Sequence, residues 1–488
     1  MSHDPSPPSR PSACPALSRI VAARDGGLCR IKLPGGELRA EQALAIAEAV
    51  DAHASGVIEV TNRANLQLRG VRAGHEAALS ERLLRAGLGP QVALRQALSG
   101  TQDQVESVPI MPITAAAADD VRNLMISPAA GRDAQASYDT RPLAAAILSL
   151  LQSESRLTAL SPKFALLLDG GERLAMLDHP HDIWLSAMPA YGVEPWFAFG
   201  LAGHPSTRHR CALAAVRPAQ VPALIRALLH TFLDLARPDD TRMRHLLAAY
   251  SHDAILEQVS TRVDFPLRRG ADVDAWRRGD ADPALRFGAH RQRTGNLWHV
   301  GGQPSLGRID AATLRGLAQL AIEHGNGRVN MTPWQSVLLP DVAKPYVPHT
   351  ENGLDALGLI RDAAHPLAGL VACAGSTGCA KSCADTKADA LHLSQHLPAG
   401  VEVHLSGCIR SCAAAHCAPY TLLAVEPGRY DLYRRPADPD QETAYTRAPE
   451  IDTSADAARR FGRRLAAHLT IEQAAQLLRE AARSHSHA

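Results

Sequence analysis

The chain has 488 residues, 46% of them apolar and 21% charged, enough to bury sizeable cores in about three domains. Lys and Arg number 51 against 50 Asp and Glu, a net charge of +1, which excludes a protein that chiefly coats nucleic acid or an anionic membrane. No run of about 18 apolar residues occurs, so no membrane span is expected.

Residues 1–18 are rich in Pro, Ser and Ala. They lack a basic stretch leading into an apolar one, so they read as a disordered tail rather than a secretory signal, and the expected location is cytoplasmic. Residues 19–98 read as a short strand, a Gly/Pro turn, an amphipathic helix (Ala43, Ile46, Ala47, Val50), a Gly-marked stop and the β-rich run TNRANLQLRG. Residues 99–290 form an α/β stretch containing RNLMISP, DTRPL and LSPKF. Residues 291–348 repeat the grammar of 19–98. Shifted by 271, His53 meets His324, Gly56 meets Gly327, Thr61 meets Thr332 and Leu68 meets Leu339, and the helix recurs as Leu314, Leu317, Ala318 and Ala321. Residues 349–452 are a second α/β stretch, and 453–488 an amphipathic helical tail ending in a short disordered end. The expected architecture is α+β, a pseudo-two-fold pair of unequal repeats with a site between them.

Six of nine cysteines fall within 45 residues: Cys373-x5-Cys379-x3-Cys383 and Cys408-x3-Cys412-x4-Cys417. Clustered cysteines in an intracellular chain indicate metal or redox chemistry. A [4Fe–4S] cube needs four thiolates. Structural zinc favours tight paired knuckles, which x5 followed by x3 fits poorly, and buried cysteines without a role are the third reading. Gly375 to Ser382 nearly spells a phosphate loop, but Ala380 stands where its second glycine belongs. A G-x-G-x-x-G loop is absent, so a dinucleotide is not expected to bind tightly.

C-x5-C followed by SGCIRSC resembles the [4Fe–4S] motif of the sirohaem-dependent nitrite and sulfite reductase family. TNRANLQLRG, RNLMISP and LSPKF resemble that family's T-x-R-x-x-x-Q, Arg-Asn and lysine stretches. The resemblance spans roughly Cys29 to Arg434. It implies two ferredoxin-like halves, each followed by a larger α/β domain, with Cys373, Cys379, Cys408 and Cys412 holding the cluster and Cys383 and Cys417 as extras.

The departures are Arg410, where reductases tend to have Asn, and Ala165, where a second lysine follows Lys163. Together with ACAGSTGCAKSCADTKADA and APYTLLAVEPGRYDLYR they resemble the precorrin-3B synthase branch. That branch implies a [4Fe–4S] cluster, a mononuclear non-haem iron and no sirohaem. It also implies precorrin-3A as substrate, O2 as oxidant and an NADH-linked reductase as donor in aerobic cobalamin biosynthesis. The alternative is a sirohaem-dependent ferredoxin nitrite or sulfite reductase.

A polycarboxylate tetrapyrrole suits arginine clamps, because the guanidinium fork pairs with carboxylate through two hydrogen bonds. Arg63, Arg69, Arg122 and Lys163 are the leading candidates, with Arg141, Lys381 and Arg410 behind them. Candidate iron ligands are His404, His416, His179, His181 and Asp182, each weighed against an ordinary histidine or carboxylate role. Lys381, Lys387 and Arg410 are expected to form a docking surface for an acidic donor.

Overall fold

A computed structural model describes residues 14–91, 113–189, 194–208, 211–436 and 453–485. The tail expected over 1–18 lies mostly outside these, as do the last three residues.

The described residues form four five-stranded sheets, with strands buried on both faces at the centre of the two α/β sheets. The first holds β1 (Val21–Ala23), β2 (Gly26–Ile31), β4 (Ile58–Val60) and β5 (Leu66–Val71) in the order β1-β2-β5-β4. Its half-mate holds β11 (Gly288–Arg291), β12 (Leu297–Gly302), β14 (Arg328–Met331) and β15 (Val337–Ala343) in the matching order β11-β12-β15-β14. Each is completed by a strand from the other half. β3 (Glu37–Arg39) pairs with β14, and β13 (Arg308–Ile309) pairs with β4. The helices Ala40–His53 and Ala311–His324 pack together, and one continuous core runs through both halves.

The 271-residue repeat is visible in the backbone. Left-handed φ recurs at Gly35 and Leu306, at Ala64 and Gln335, and at Gly70 and Asp341. Registers repeat too: Arg30 faces Gln67 as Gly301 faces Leu338, and Glu59 faces Gln67 as Asn330 faces Leu338.

The other two sheets share one topology. β6 (Leu124–Met125), β7 (Leu166–Asp169) and β8 (His181–Ala187) are parallel, and β9 (Phe197–Gly203) and β10 (Ala214–Val216) continue antiparallel. In the same way β16 (Leu370–Ala372), β17 (Val403–Ser406) and β18 (Tyr420–Glu426) are parallel, followed by antiparallel β19 (Arg429–Arg434) and β20 (Arg463–Leu469). The fold is thus the expected α+β tandem repeat of ferredoxin-like halves and α/β domains.

Two details differ from the sequence reading. The helix Val347–Ala356 carries the second half past residue 348. The tail expected to be an amphipathic helical region contains β20, which lies between the helices Thr453–Phe461 and Ile471–His485 and closes the sheet edge beside β19. Pairing to β19 overrides the helical propensity of its Ala, Leu and Arg residues.

Candidate functional site

A cavity of about 3490 Å³ lies between the first half and both α/β domains, with Leu306, Trp334 and Gln335 of the second half also on its lining, well beyond the ~300–1,000 Å³ of ordinary small-ligand sites. One wall is the sheet face of the first half. Along β2, Cys29 and Ile31 point into the core, fully buried, so Arg30, and Lys32 just beyond the strand, face the cavity. Gln67, across from Arg30, accepts from its Nη2 at 2.6 Å through the amide oxygen.

The opposite wall is the edge of the second α/β domain. β16 and β17 are parallel neighbours, so the loops after them leave the same edge, the usual ligand-binding end of such strands. Those loops carry Cys373, Cys379, Cys408 and Cys412, all lining the cavity. Burial first, then the neighbouring cysteines, raises the pKa of both Cys408 and Cys412. Cys373 Sγ accepts from Gly407 N at 3.3 Å. Gly378 lets the first loop press against Arg69, because a Cβ there would stand 2.4 Å from Arg69 Nη2. Four thiols on two small-residue loops, one already taking a backbone N–H bond, fit the four-thiolate demand of a [4Fe–4S] cluster. Cys383 is exposed and off this wall, and Cys417 is buried beside it.

Arg63 and Lys163 line the cavity, and no hydrogen bond to either cationic head is present among the described residues. Burial, then repulsion from Arg242 and Arg30, pulls Arg63 down to about 10, so it stays charged at neutral pH.

The other two leading clamps are placed differently. Arg69 is engaged by Asp25 (2.7 and 3.0 Å), Glu59 (3.4 Å) and the Gly378 carbonyl (2.6 Å), leaving its fork no freedom to hold a ligand. Arg122 does not reach the cavity: it is buried against Asp119 at 2.6 Å. Arg141 is likewise off the lining, paired with Asp139 at 2.7 Å, whereas Lys381 and Arg410 line it and are exposed. Lys387, expected on a docking surface, is buried and donates to Leu306 O (2.8 Å) and Ala372 O (3.2 Å).

Of the candidate iron ligands, His416 alone lines the cavity. His179 stacks near it, ring centroids 5.1 Å apart. Burial holds His181 and His404 down to about 3, neutral at pH 7. Asp182 is committed to Arg242 (2.9 Å) and to the backbone N–H groups of Met243 and Ala165 (both 2.8 Å). Among the described residues no three His, Cys, Asp or Glu side chains converge to hold a single metal ion, so a mononuclear iron finds no ready ligand set.

Sequence reasoning missed Arg30, Lys32 and Arg242. Burial pulls Lys32 down to about 7, and its ammonium donates to Asp119 O (2.7 Å), Asp120 O (3.0 Å) and Asn123 Oδ1 (2.8 Å). The signal for the first two was present in the Cys29-Arg30-Ile31-Lys32 alternation.

Residues 22–86 and 290–357 match the nitrite/sulfite reductase ferredoxin-like half domain. Residues 117–267 match the nitrite and sulphite reductase 4Fe-4S domain. Together these cover more than half of the chain, and it belongs to the nitrite and sulphite reductase family. The 4Fe-4S match falls on the α/β domain that lacks the cysteine pairs. A chloroplastic ferredoxin–nitrite reductase of Zea mays is 29% identical over 80% of this chain and 68% of its own length. A precorrin-3B synthase of Sinorhizobium sp is 26% identical over 90% of this chain and 85% of its own. The chain spans about two thirds of the length of the chloroplastic relatives. The solved NirA protein of Mycobacterium tuberculosis shares the fold, with a TM-score of 0.70 at 20% identity over 94% of this chain and 80% of that one. The nitrite reductase and precorrin-3B synthase relatives are oxidoreductases, and this chain is an enzyme of that class. No helix among the described residues is long and apolar enough to cross a membrane.

Proposed function

We propose that this protein is a precorrin-3B synthase-like monooxygenase that hydroxylates precorrin-3A at C20 and closes a lactone with the ring-A acetate. One oxygen atom of O2 enters the product, the other leaves as water, and two electrons come from an NADH-linked donor protein. The observation that carries this reading is Ala165. Its side chain is buried and its N–H is tied to Asp182, so the segment leading into β7 gives the cavity Lys163 and no second lysine to grip a small anion. The Sinorhizobium likeness, which spans most of both chains, also supports it.

Arg63 and Lys163 bind the carboxylate rim of the macrocycle, and Arg30 and Arg242, fixed by Gln67 and Asp182, extend the same positive wall. Cys373, Cys379, Cys408 and Cys412 are the residues to hold a [4Fe–4S] cluster, which when bound supplies electrons one at a time. Exposed Lys381 and Arg410 beside those loops present positive charge to an acidic donor.

A second reading, a sirohaem-dependent ferredoxin nitrite reductase, is favoured by the relatives of that name. It uses the same cysteines and cations. Anaerobic purification followed by an absorption spectrum, iron and sulfide counts and O2-dependent turnover of precorrin-3A separates the two. Broad iron–thiolate absorption with turnover supports the monooxygenase. Intense macrocycle bands with nitrite reduction establish the second reading. Absence of iron and sulfide after reconstitution overturns both.

A further inference from the structure

The backbone of the two cysteine loops is gripped by cations from separate parts of the chain. In the first loop, Lys387 Nζ donates to Ala372 O at 3.2 Å, Arg24 Nη1 to Ser376 O at 2.9 Å and Arg69 Nη2 to Gly378 O at 2.6 Å. In the second, Arg460 Nη1 donates to Ile409 O at 2.9 Å and Arg410 O at 2.7 Å. Arg24 and Arg69 come from the first half, Lys387 from the helix behind the loops, and Arg460 from the C-terminal segment.

Their surroundings differ. Lys387 and Arg69 are buried, and both lean on the buried carboxylate of Glu59, at 3.9 and 3.4 Å. Arg308, carried in on the exchanged strand β13, completes that network at 2.9 Å. Three cations share Glu59, and Arg69 also pairs with Asp25 at the rim, so three positive charges face two negative ones and the network is net positive where water screens it least. Arg24 and Arg460 are exposed and screened.

Resting on the four-cysteine cluster reading, we infer that Lys387, Arg69 and Arg460 are positioning residues that set the reduction potential of the cluster, with Glu59 as the opposing charge. One-electron reduction adds one negative charge inside the four thiolates and breaks no bond. The electron comes from the donor protein, and fixed positive charge nearby stabilises the reduced form. A merely structural grip on the loops changes how much cluster is retained but predicts no ordered pattern of potentials.

The test is a potentiometric titration of the anaerobically purified protein, monitored by low-temperature electron paramagnetic resonance, with iron and sulfide counted in each sample. Lys387→Met is expected to lower the midpoint by about a tenfold change in the oxidised-to-reduced ratio at fixed potential, 59 mV for one electron. Lys387→Arg, which keeps the charge, restores it. Glu59→Gln shifts it upward. Arg460→Gln shifts it downward by less, because that charge is exposed. If Lys387→Met fails to assemble a cluster, the opposite signs of Glu59→Gln and Arg460→Gln decide. Equal midpoints in variants with full iron and sulfide overturn the inference, as does a downward shift in Glu59→Gln. Absence of iron and sulfide from the unaltered protein instead overturns the cluster reading.

Discussion

The two ferredoxin-like halves share a backbone but use the same sheet face in opposite ways. In the first, Arg30, Glu59, Arg63, Gln67 and Arg69 face the cavity. Their counterparts 271 residues on are Gly301, Asn330, Trp334, Leu338 and Pro340. Leu338 is buried with Ala129, Leu174 and Leu285, and Asn330 donates to Pro128 O at 3.0 Å, so that face is packed mostly against the first α/β domain, with Trp334 still reaching the cavity. The α/β domains diverge in parallel. Where β17 leads into the cysteine loop, β7 ends in Asp169, locked to Arg278 at 2.7 and 2.9 Å in a buried ion pair. A repeated fold thus yields one site and one packed interface. The difference lies in the side chains on one face and not in strand order.

Substitutions at matched positions test how deep that asymmetry runs. A large stability effect is expected from Gly301→Ala, whose Cβ would stand 2.2 Å from Arg286 O. Overpacking against backbone is expected to cost about 3 kcal/mol, read as a drop in the denaturation midpoint, whereas Arg30→Ala at the matched position leaves that midpoint nearly unchanged. Leu338→Ala should cost about 2–5 kcal/mol. Gln67→Ala should cost under about 1 kcal/mol while loosening Arg30. Equal losses at the two sites would erase the distinction between packed and open faces.

Ligand binding should show the reverse asymmetry. Arg63→Gln is expected to weaken binding of a polycarboxylate tetrapyrrole such as uroporphyrin by about ten- to a hundredfold, from a lost charge-assisted pair of about 1.5–3 kcal/mol, without lowering thermal stability. Fluorescence titration reads the first quantity and a melting curve the second. Binding by the unaltered protein should weaken as salt is raised.

The smallest effect concerns acid. Burial holds His299, on β12, down to about 4, with its Nε2 donating to Leu285 O at 3.0 Å. Its counterpart Leu28 does not titrate. The unfolded chain takes up the His299 proton near pH 6.5 and the folded one only near 4. Stability from this group is therefore present above 6.5 and is lost as pH falls toward 4, at up to about 1.4 kcal/mol per pH unit. His299→Leu should flatten the stability profile across that window, as measured by denaturant unfolding at a series of pH values.

Much of this was legible in the residues. The 271-residue repeat located both helices and both β-rich runs, because apolar periodicity and turn glycines are local signals. The strand exchange was not, because β3 and β13 are three and two residues long and find their partners far away in the chain. Cysteine spacing marked the clustered segment, and the family resemblance picked out of its six cysteines the four that line one wall. The clamps divided: Arg63 and Lys163 face the cavity, while Arg69 and Arg122 have carboxylate partners, Asp25 and Asp119, that motif matching does not reveal. Arg30 and Lys32 were readable from strand alternation and matched no motif emphasised in the sequence.

The exchange of β3 and β13 bears on how the protein is made. The first sheet lacks its outer strand, and Glu59 lacks Arg308, until roughly 250 further residues have been translated, about 12–50 s at ~5–20 residues per second. The nascent first half waits on the ribosome with a basic face and an apolar helix layer uncovered. The four cysteines of the opposite wall come later still in the chain, so the two walls can meet only after residue 412 has been made.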